Sequence, residues 1–406
     1  MRATHPLSPH AFSTLRRLTA LTAVMTIALT MVSCSLGESN GDPAISSLTA
    51  RKADAAVRRN SKSDMDNEPL SSAVGTVSMI TSDENGKKGA VSGDMTTTVV
   101  SRERSTDTLQ WAVSIKPAVA NRERTEYADN AQSAMSENMD LSSTGSTVVS
   151  PDGRYLSLTL LPAEQQSGET AADLRTHIVV LDTTTGKTVR NGTVSGVILG
   201  QALTNSALAV ETAQNYFPAG SGKGTITIFS LTDTSAQPSP FPTDKWLVGA
   251  TRENLMLAPD LLPDDCFNEC SIMTTISLLN TDGSTARSIS GVTAIHPGGW
   301  IHRFANPKAA SDYQQRSKAA SDDERKSLSP SREAAEEQLV NPSIKKTIDI
   351  TGKRTFERGV PTGPGMLVKQ EVPDGKGSKE SKPVFWLSSS DDGHPHTENL
   401  EQFENH

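Results

Sequence analysis

The sequence predicts an all-β fold built from repeated antiparallel sheets, and three observations support this. A tight turn leads into a strand at residues 150–160, where Leu156 and Leu158 alternate with residues that are less apolar. A strand leads into a polar hairpin at residues 177–189, with Asp182 opening the turn. Both patterns then recur along the chain at a nearly constant spacing.

The spacing of these patterns predicts the type of all-β fold. The turn residues Gly153, Ser206, Asn254 and Gly299 are 53, 48 and 45 residues apart, and the hairpin residues Asp182, Thr232 and Asn280 are 50 and 48 residues apart. Such a period, with four short strands in it, is typical of one β-propeller blade. Extending this period towards both ends of the chain predicts a β-propeller of about seven four-stranded blades, with one hairpin expected near residue 133. A smaller β-sandwich domain followed by a partial propeller is the alternative.

Two motifs in the repeats resemble those of a known group of propellers. Residues 150–156 read SPDGRYL and residues 180–189 read VLDTTTGKTV. These resemble the WD40-like blades of bacterial β-propellers of the YVTN and PQQ-like kind, and the resemblance implies a propeller body. Quinoprotein members usually have Trp after the second motif, whereas Arg190 follows it here. No quinone-binding residue is therefore assigned, and no cofactor is expected.

The N-terminus has the features of an export signal. Basic residues (Arg16 and Arg17 among them) precede an apolar stretch at residues 18–32, which is too short to be a good spanning helix. The stretch ends in Met-Val-Ser followed by Cys34, which resembles the lipobox of bacterial lipoproteins. The resemblance implies that residues 1–33 are a lipoprotein signal peptide and that Cys34 is lipidated, with palmitate among the acyl chains expected. The general secretory and twin-arginine routes both remain open.

The charge of the chain bears on its partners. The formal net charge is −8, and removal of three Arg with residues 1–33 leaves −8 − 3 = −11. We therefore expect no nucleic-acid partner. An acidic chain gains nothing from an anionic membrane, so the lipid must be the anchor. The expected location is the extracytoplasmic face of the cell membrane.

Composition divides the mature chain into parts. Residues 34–74 contain no aromatic residue and predict a flexible tether, which places the body about 35 Å from the membrane by random-coil scaling. Residues 75–393 form the propeller-like domain, and residues 394–406 a polar C-terminal tail. The polar stretch 306–342 breaks the repeat spacing and predicts an inserted loop, with a frayed helix around residues 332–340.

Two cysteines remain after Cys34. Cys266 and Cys270 are an even pair separated by three residues, and in an oxidising compartment we predict a disulfide between them. The alternative is a metal site that adds Asp265 or Glu269 to the two thiols.

Several other candidate sites lack part of the pattern that their chemistry needs. Residues 219–225 depart from a phosphate-binding loop at two positions. His394 and His396 lie in the predicted tail beside Asp391 and Glu398, without a fourth ordered ligand. The hairpin acids (Asp83, Asp182 and Asp282) suit turn capping better than Ca²⁺ binding. We assign no catalytic and no metal-binding residue.

Three functions follow as hypotheses. The favoured one is a membrane-anchored, non-catalytic propeller that binds a protein or cell-wall ligand or acts as a scaffold. The alternative is a propeller enzyme at the cell envelope, of the hydrolase or quinoprotein type. A transporter's substrate-binding lipoprotein needs an α/β fold, which the strand-rich pattern disfavours. The four tryptophans (Trp111, Trp246, Trp300 and Trp386) are predicted to pack between sheets rather than to form a binding platform.

Overall fold

The structure, a computed structural model, describes nine stretches of the chain and consists mainly of β-strands. The described residues are 42–60, 69–82, 96–118, 147–160, 170–214, 224–259, 273–321, 334–373 and 379–403. Residues 1–34 and 35–406 separate into two units, and every described element belongs to the second. Within the described stretches, neither helix combines the length and apolar character needed to cross a bilayer.

The predicted all-β fold is confirmed, because the described strands pair antiparallel and form five sheets. Sheet 1 has the strand order β1-β5-β4-β3-β2, with β1 (Ala44–Ser47), β2 (Leu70–Ser71), β3 (Gly75–Ser82), β4 (Thr96–Glu103) and β5 (Leu109–Lys116). Sheet 2 runs in chain order through β6 (Thr147–Val149), β7 (Tyr155–Thr159), β8 (Arg175–Asp182) and β9 (Thr188–Ser195). Sheet 3 likewise contains β10 (Val197–Leu203), β11 (Ala207–Ala213), β12 (Gly224–Ser230) and β13 (Ser239–Thr243).

The remaining strands form one large and one small sheet. Sheet 4 runs in chain order through β14 (Trp246–Ala250), β15 (Leu255–Ala258), β16 (Thr274–Leu279), β17 (Thr285–His296), β18 (Trp300–Phe304), β19 (Glu337–Asn341) and β20 (Lys346–Asp349). Sheet 5 contains β21 (Lys353–Val360), β22 (Gly363–Pro373) and β23 (Lys379–Ser388). The number of about seven four-stranded blades is not confirmed, since the sheets have three to seven strands and the hairpin expected near 133 lies outside the described residues.

The inner strands of the sheets are buried on both faces, which explains their apolar runs. Along β8, Ile178 and Val180 pack with side chains of sheet 3, whereas Val179 and Leu181 pack with side chains of sheet 1. Successive strand residues point to opposite faces, so four consecutive apolar residues are what a sheet between two neighbours needs. Sheet 4 packs on sheet 3 in the same way, and sheet 5 packs on β18 and β19.

Strand β17 joins two four-stranded groups into the single sheet 4. Its first part pairs with β16, and its last five residues pair with β18. Gly291, with φ 74°, lies where the strand passes from one group to the next. Gly196, with φ 95°, takes the same place between β9 and β10. A Cβ at either glycine would lie 2.5 Å from a carbonyl oxygen, so both positions require glycine.

Part of the predicted tether is ordered, which corrects the assignment of residues 34–74. Strand β1 extends sheet 1 beside β5, and helix α1 (Ala50–Asn60) packs against the same sheet. Ala53 and Ala56 of the helix are buried in a cluster with Ile80 and Val100. Two alanines and the half-buried Val57 seat the helix on the sheet, although the segment contains no aromatic residue.

The predicted insertion at 306–342 also contains regular structure. Helix α2 (Pro307–Ala319) begins at Asn306, whose side chain accepts a hydrogen bond from Ala309 N–H at 3.1 Å. The helix predicted around residues 332–340 is wrong for the part that the structure describes, because Glu337–Asn341 form β19 and pair with β18. Leu339 is fully buried, so packing against sheet 5 decides the conformation of this stretch.

The predicted polar tail at 394–406 begins with residues that pack on sheet 5. His396 and Trp386 exchange backbone hydrogen bonds of 2.9 Å. A single 3₁₀ turn, Leu400–Phe403, then buries Phe403 against Leu367 and Trp386. The described part of the tail, residues 394–403, is therefore a strap that runs beside β23.

The tryptophans agree with the packing interpretation. Trp246, Trp300 and Trp386 are buried, and each belongs to an apolar cluster. Trp111 is half-buried between sheets 1 and 2, and its Nε1 donates to Thr183 O at 2.6 Å. Trp111, Trp246 and Trp300 fill the space between neighbouring sheets, whereas Trp386 packs between sheet 5 and the C-terminal residues that cover it.

Candidate functional site

Four equivalent turns connect strands at one end of sheets 1 to 4, and each turn begins with a residue whose hydroxyl is buried. The turns connect β2 to β3, β6 to β7, β10 to β11 and β14 to β15, and their first residues are Ser72, Ser150, Thr204 and Thr251. Each hydroxyl accepts a hydrogen bond of 2.9–3.2 Å from a backbone N–H across the turn, on Gly75, Tyr155, Ala207 and Asn254. The repeated turns predicted at 153, 206 and 254 are confirmed, and buried hydroxyls hold them in shape.

Neighbouring turns are joined by hydrogen bonds. Ala73 N–H donates to Gly153 O at 3.0 Å, which links sheets 1 and 2. Asp152 N–H donates to the side-chain oxygen of Asn205 at 3.2 Å, which links sheets 2 and 3. Asn205 N–H donates to Arg252 O at 2.9 Å, which links sheets 3 and 4. We call these four linked turns the turn edge, because they form one side of the described body.

The turn edge extends to sheet 5 and back to sheet 1. Arg252 donates from Nη2 to Ser389 O at 2.9 Å, beyond the end of β23. At the end of β21, Val360 O accepts from Arg104 Nη1 at 2.5 Å, and Arg104 follows β4 of sheet 1. Burial of the Arg104 guanidinium lowers its pKa. The last sheet therefore contacts the first through a partly buried cation.

The hairpin acids Asp182 and Asp282 cap their own turns by accepting hydrogen bonds from backbone N–H groups. The Asp182 carboxylate accepts from Thr184 N–H at 2.9 Å, and that of Asp282 accepts from Ser284 N–H at 2.8 Å. Burial acts to raise the pKa of Asp182, but hydrogen bonds from Thr184 outweigh it and the pKa is lowered. Turn capping is thus confirmed for Asp182 and Asp282, whereas Asp83 lies outside the described residues.

A hydroxyl, an imidazole and a carboxylate meet between sheets 4 and 5. His296 Nε2 is 3.1 Å from Thr355 Oγ1, and His296 Nδ1 is 3.2 Å from Glu357 Oε1. Thr355 and Glu357 are two residues apart on β21, so both face the imidazole from one side of the strand. The ring of His302 lies 6.2 Å from that of His296. We call Thr355, His296 and Glu357 the inter-sheet triad.

His396 forms a second polar cluster on the strap. Its Nε2 is 2.7 Å from Asp391 Oδ2, its Nδ1 is 2.7 Å from Glu398 Oε1, and its ring stacks on Trp386 at 3.9 Å. Burial acts to lower the pKa of His396, but the hydrogen bonds to both carboxylates outweigh it and raise the pKa. The contacts among His396, Asp391, Glu398 and Trp386 hold the strap against β23. Within the described stretches no group of three or more His, Cys, Asp or Glu is placed to hold a metal ion.

Glu211 is a buried carboxyl that sequence analysis missed. It is only 1% exposed, and its Oε2 accepts from Leu247 N–H at 2.8 Å, across the boundary between sheets 3 and 4. Its Oε1 has no hydrogen-bond partner among the described residues. Burial raises the pKa of Glu211 to about 7. The sequence did contain a signal for this buried carboxyl, because Glu211 is the single acid among the apolar and small residues of β11.

The cysteine sites predicted from the sequence lie outside the structure's described part. Cys34, Cys266 and Cys270 all fall in stretches that the structure does not describe. Lipidation of Cys34 and a disulfide between Cys266 and Cys270 therefore stay predictions.

The fold and these sites define the class of the protein as all-β, with consecutive antiparallel sheets linked at a common edge. No protein-family model matches the sequence, and no curated protein is significantly similar to it.

Three solved structures are distantly similar to this chain. The β-propeller domain of the Trilobed protease from Pyrococcus furiosus is 11% identical with a TM-score of 0.34, covering 79% of this chain and 84% of that one. TolB from Acinetobacter baumannii is 9% identical with a TM-score of 0.29, covering 77% and 65%. An acylaminoacyl peptidase from Pyrococcus horikoshii is 11% identical with a TM-score of 0.34, covering 79% and 47%. Likenesses of this size assign the chain to no family, so its class rests on its own strand pairing.

Proposed function

We propose that this chain is an exported, lipid-anchored β-propeller that acts as a non-catalytic binding or scaffold module at the extracytoplasmic face of the cell membrane. Its ligand is a protein or a cell-wall component, and nucleic acid is disfavoured by the net charge of −8. The turn edge is the observation that carries this proposal.

The strand pairing supports six propeller blades in a closed ring. Sheets 1, 2 and 3 each supply one blade, and sheet 4 supplies two because β17 serves both of its four-stranded groups. Sheet 5 supplies the sixth, with His396 bridging to Trp386 at the place of a fourth strand. The contact of Arg104 with Val360, together with the position of β2 beside β21 and β22, supports closure of the ring.

The chemistry of the turn edge favours binding over catalysis. Its buried hydroxyls and backbone amides satisfy one another, so the edge is a rigid frame from which exposed loop residues project. Exposed residues such as Lys187 and Glu253 lie on loops that this frame positions. Rigid scaffolds that present variable loops are a common architecture for recognition.

Replacement of Cys34 tests the anchor. In cells fed a clickable fatty acid, the unaltered protein should take up label and sediment with membranes. Cys34→Ala should remove the label, because the sulfur that would carry the acyl chains is absent. Cys266→Ala is the matched control and should keep label and location. Label retained on Cys34→Ala would refute the anchor.

A second candidate, an envelope hydrolase, is favoured by the inter-sheet triad. Its hydroxyl–imidazole–carboxylate order is the one that activates a nucleophile in acyl transfer, with His296 as base and Glu357 orienting it. If His296 activates Thr355 as a nucleophile, an activated acyl ester should acylate Thr355, and peptide mass spectrometry detects the adduct.

Variants of the triad distinguish catalysis from packing. Thr355→Ser should keep the acyl adduct, whereas Thr355→Ala and His296→Gln should abolish it. Thr362→Ala, which removes a hydroxyl near Ser388 outside the triad, is the control and should change nothing. Absence of an adduct on the unaltered protein would leave the binding module as the function.

A further inference from the structure

Both ring nitrogens of His396 face a carboxylate. His396 Nε2 lies 2.7 Å from Asp391 Oδ2, and His396 Nδ1 lies 2.7 Å from Glu398 Oε1. A neutral imidazole has one N–H and one lone pair, so it can donate to only one of these carboxylates and turns its lone pair towards the other. The imidazolium has an N–H on both nitrogens. The arrangement around His396 therefore fits the protonated ring and not the neutral one.

The charged and titratable groups that face His396 come from the strap, from the loop after β23 and from the turn edge. Glu398 and His394 belong to the strap, and the two histidine rings meet edge-on at 5.8 Å. Asp391 belongs to the loop, and Arg252 of the turn edge donates to its backbone oxygen. The side chain of Asp391 is 27% exposed and that of Glu398 is 56% exposed, so water screens Glu398 more strongly. Burial acts to lower the pKa of His396, but hydrogen bonds with both carboxylates outweigh it and raise the pKa.

The strap covers the last strand of sheet 5. Strand β23 lies at the end of the strand order, and its Trp386 exchanges two backbone hydrogen bonds of 2.9 Å with His396. The His396 ring stacks on the Trp386 ring at 3.9 Å, and Phe403 packs against the same tryptophan. The guanidinium of Arg358 lies 5.6 Å from the centre of the Phe403 ring. Because Phe403 does not titrate and an arginine stays charged, the dependence of these contacts on pH is concentrated at His396.

From this geometry we propose that the strap is a pH-controlled latch, which protonated His396 holds against β23 and which opens when the ring loses its proton. The closed strap binds the proton more tightly than the released strap does. The contribution of His396 to closure is therefore complete below about pH 6.5 and is lost as the pH rises above that value. Release uncovers the Trp386 ring and leaves the edge of β23 unpaired at this residue. The latch adds a control on one surface of the body, which the proposed anchor and binding role do not supply.

Hydrogen–deuterium exchange of the whole purified chain measures release of the strap. Peptides that cover residues 394–403 report the opening equilibrium after correction for the intrinsic exchange rate at each pH. Deprotonation removes one charge-assisted hydrogen bond, so opening should rise about tenfold between pH 6 and pH 8.5. Phe403→Ala shows that the measurement follows the strap, because it should raise opening at both pH values.

Two variants at the cluster isolate the effect of the proton. His396→Gln has no titrating ring, so its opening should be the same at both pH values. Asp391→Asn places an amide donor opposite Nε2, so a neutral ring can accept there and still donate to Glu398, and the strap should stay closed at pH 8.5. The asparagine keeps the oxygen that accepts from Gly393 N–H, a hydrogen bond of 2.8 Å. His394→Gln is the matched control, because it removes an exposed imidazole beside the cluster, and it should keep the tenfold rise.

Equal opening of the unaltered protein at both pH values would overturn the latch, and so would a tenfold rise that persists in His396→Gln or in Asp391→Asn. Loss of the rise in His394→Gln would also contradict it, since the proton would then belong to the neighbouring ring. Lipid labelling of Cys34 and acylation of Thr355 do not depend on the strap. Failure of the latch is therefore distinct from failure of the proposed function.

Discussion

Replacement of Trp300 by alanine is expected to lower the free energy of unfolding by about 3–5 kcal/mol, as for other buried aromatic residues. Trp300 begins β18, is 1% exposed and packs with Leu339, Met366 and Leu387 between sheets 4 and 5. Its ring also lies over Gly393, where a Cβ would come within 2.9 Å of it. Alanine leaves a cavity that neighbouring strands cannot fill without losing their pairing. Chemical denaturation followed by circular dichroism measures the loss.

Two companion variants separate burial from aromatic content. Trp300→Phe keeps most of the buried area and should cost markedly less than Trp300→Ala. Phe356→Ala removes a side chain that is 42% exposed, and it should leave the free energy of unfolding nearly unchanged. A Trp300→Ala protein as stable as the unaltered one would contradict the prediction that the tryptophans stabilise the fold by packing. It would favour the alternative that they form a binding surface.

Replacement of Glu211 by glutamine is expected to stabilise the protein at pH 8 by about 3 kcal/mol, and to have little effect near pH 4.5. Burial raises the pKa of Glu211 from 4.5 to about 7, so the folded state holds a proton that the unfolded state releases. The folded state binds more protons between these values, and its stability therefore falls as pH rises from about 4.5 to about 7. Glutamine has the same shape and does not ionise, so this loss disappears.

Denaturation midpoints of both proteins across pH 4.5–8 test this expectation. The curve of the unaltered protein should fall below that of Glu211→Gln as pH rises and then run parallel to it above pH 7. Glu253→Gln is the control, because Glu253 is exposed, and its curve should follow that of the unaltered protein. A Glu211→Gln protein less stable than the unaltered one at pH 8 would show that the ionised carboxylate has a partner that offsets its burial.

Sequence periodicity predicted the turns better than it predicted the sheets. Residues 150–154 and 204–206 were recognisable because Ser, Thr, Asn, Asp and Gly have local reasons to occupy turns. The Ser150 and Thr204 hydroxyls accept local hydrogen bonds from backbone N–H groups across their turns, which bears this out. The assignment of strands to sheets was not local, and β17 is the example. Nothing in residues 285–296 except Gly291 indicates that one strand serves two groups.

Segments of polar or small residues were the least predictable. The stretch with α1 was predicted to be a tether, since composition measures the amount of apolar surface and not its placement. Two alanines and Val57 are enough once sheet 1 offers a matching surface. Likewise Leu339 lies in a stretch predicted to be a frayed helix, and pairing with β18 overrides that local preference.

The sequence by itself determined the β class, the spacing of the turns and the residues that cap them, because these depend on neighbours within a few positions. Only the tertiary structure decided the chemical setting of Glu211, of the inter-sheet triad and of α1. Glu211 is buried because sheet 4 covers it, and His296 meets Thr355 because residues about sixty positions apart face each other between sheets. Burial and charge pairing depend on what another part of the chain places nearby, and that information is absent from any local pattern.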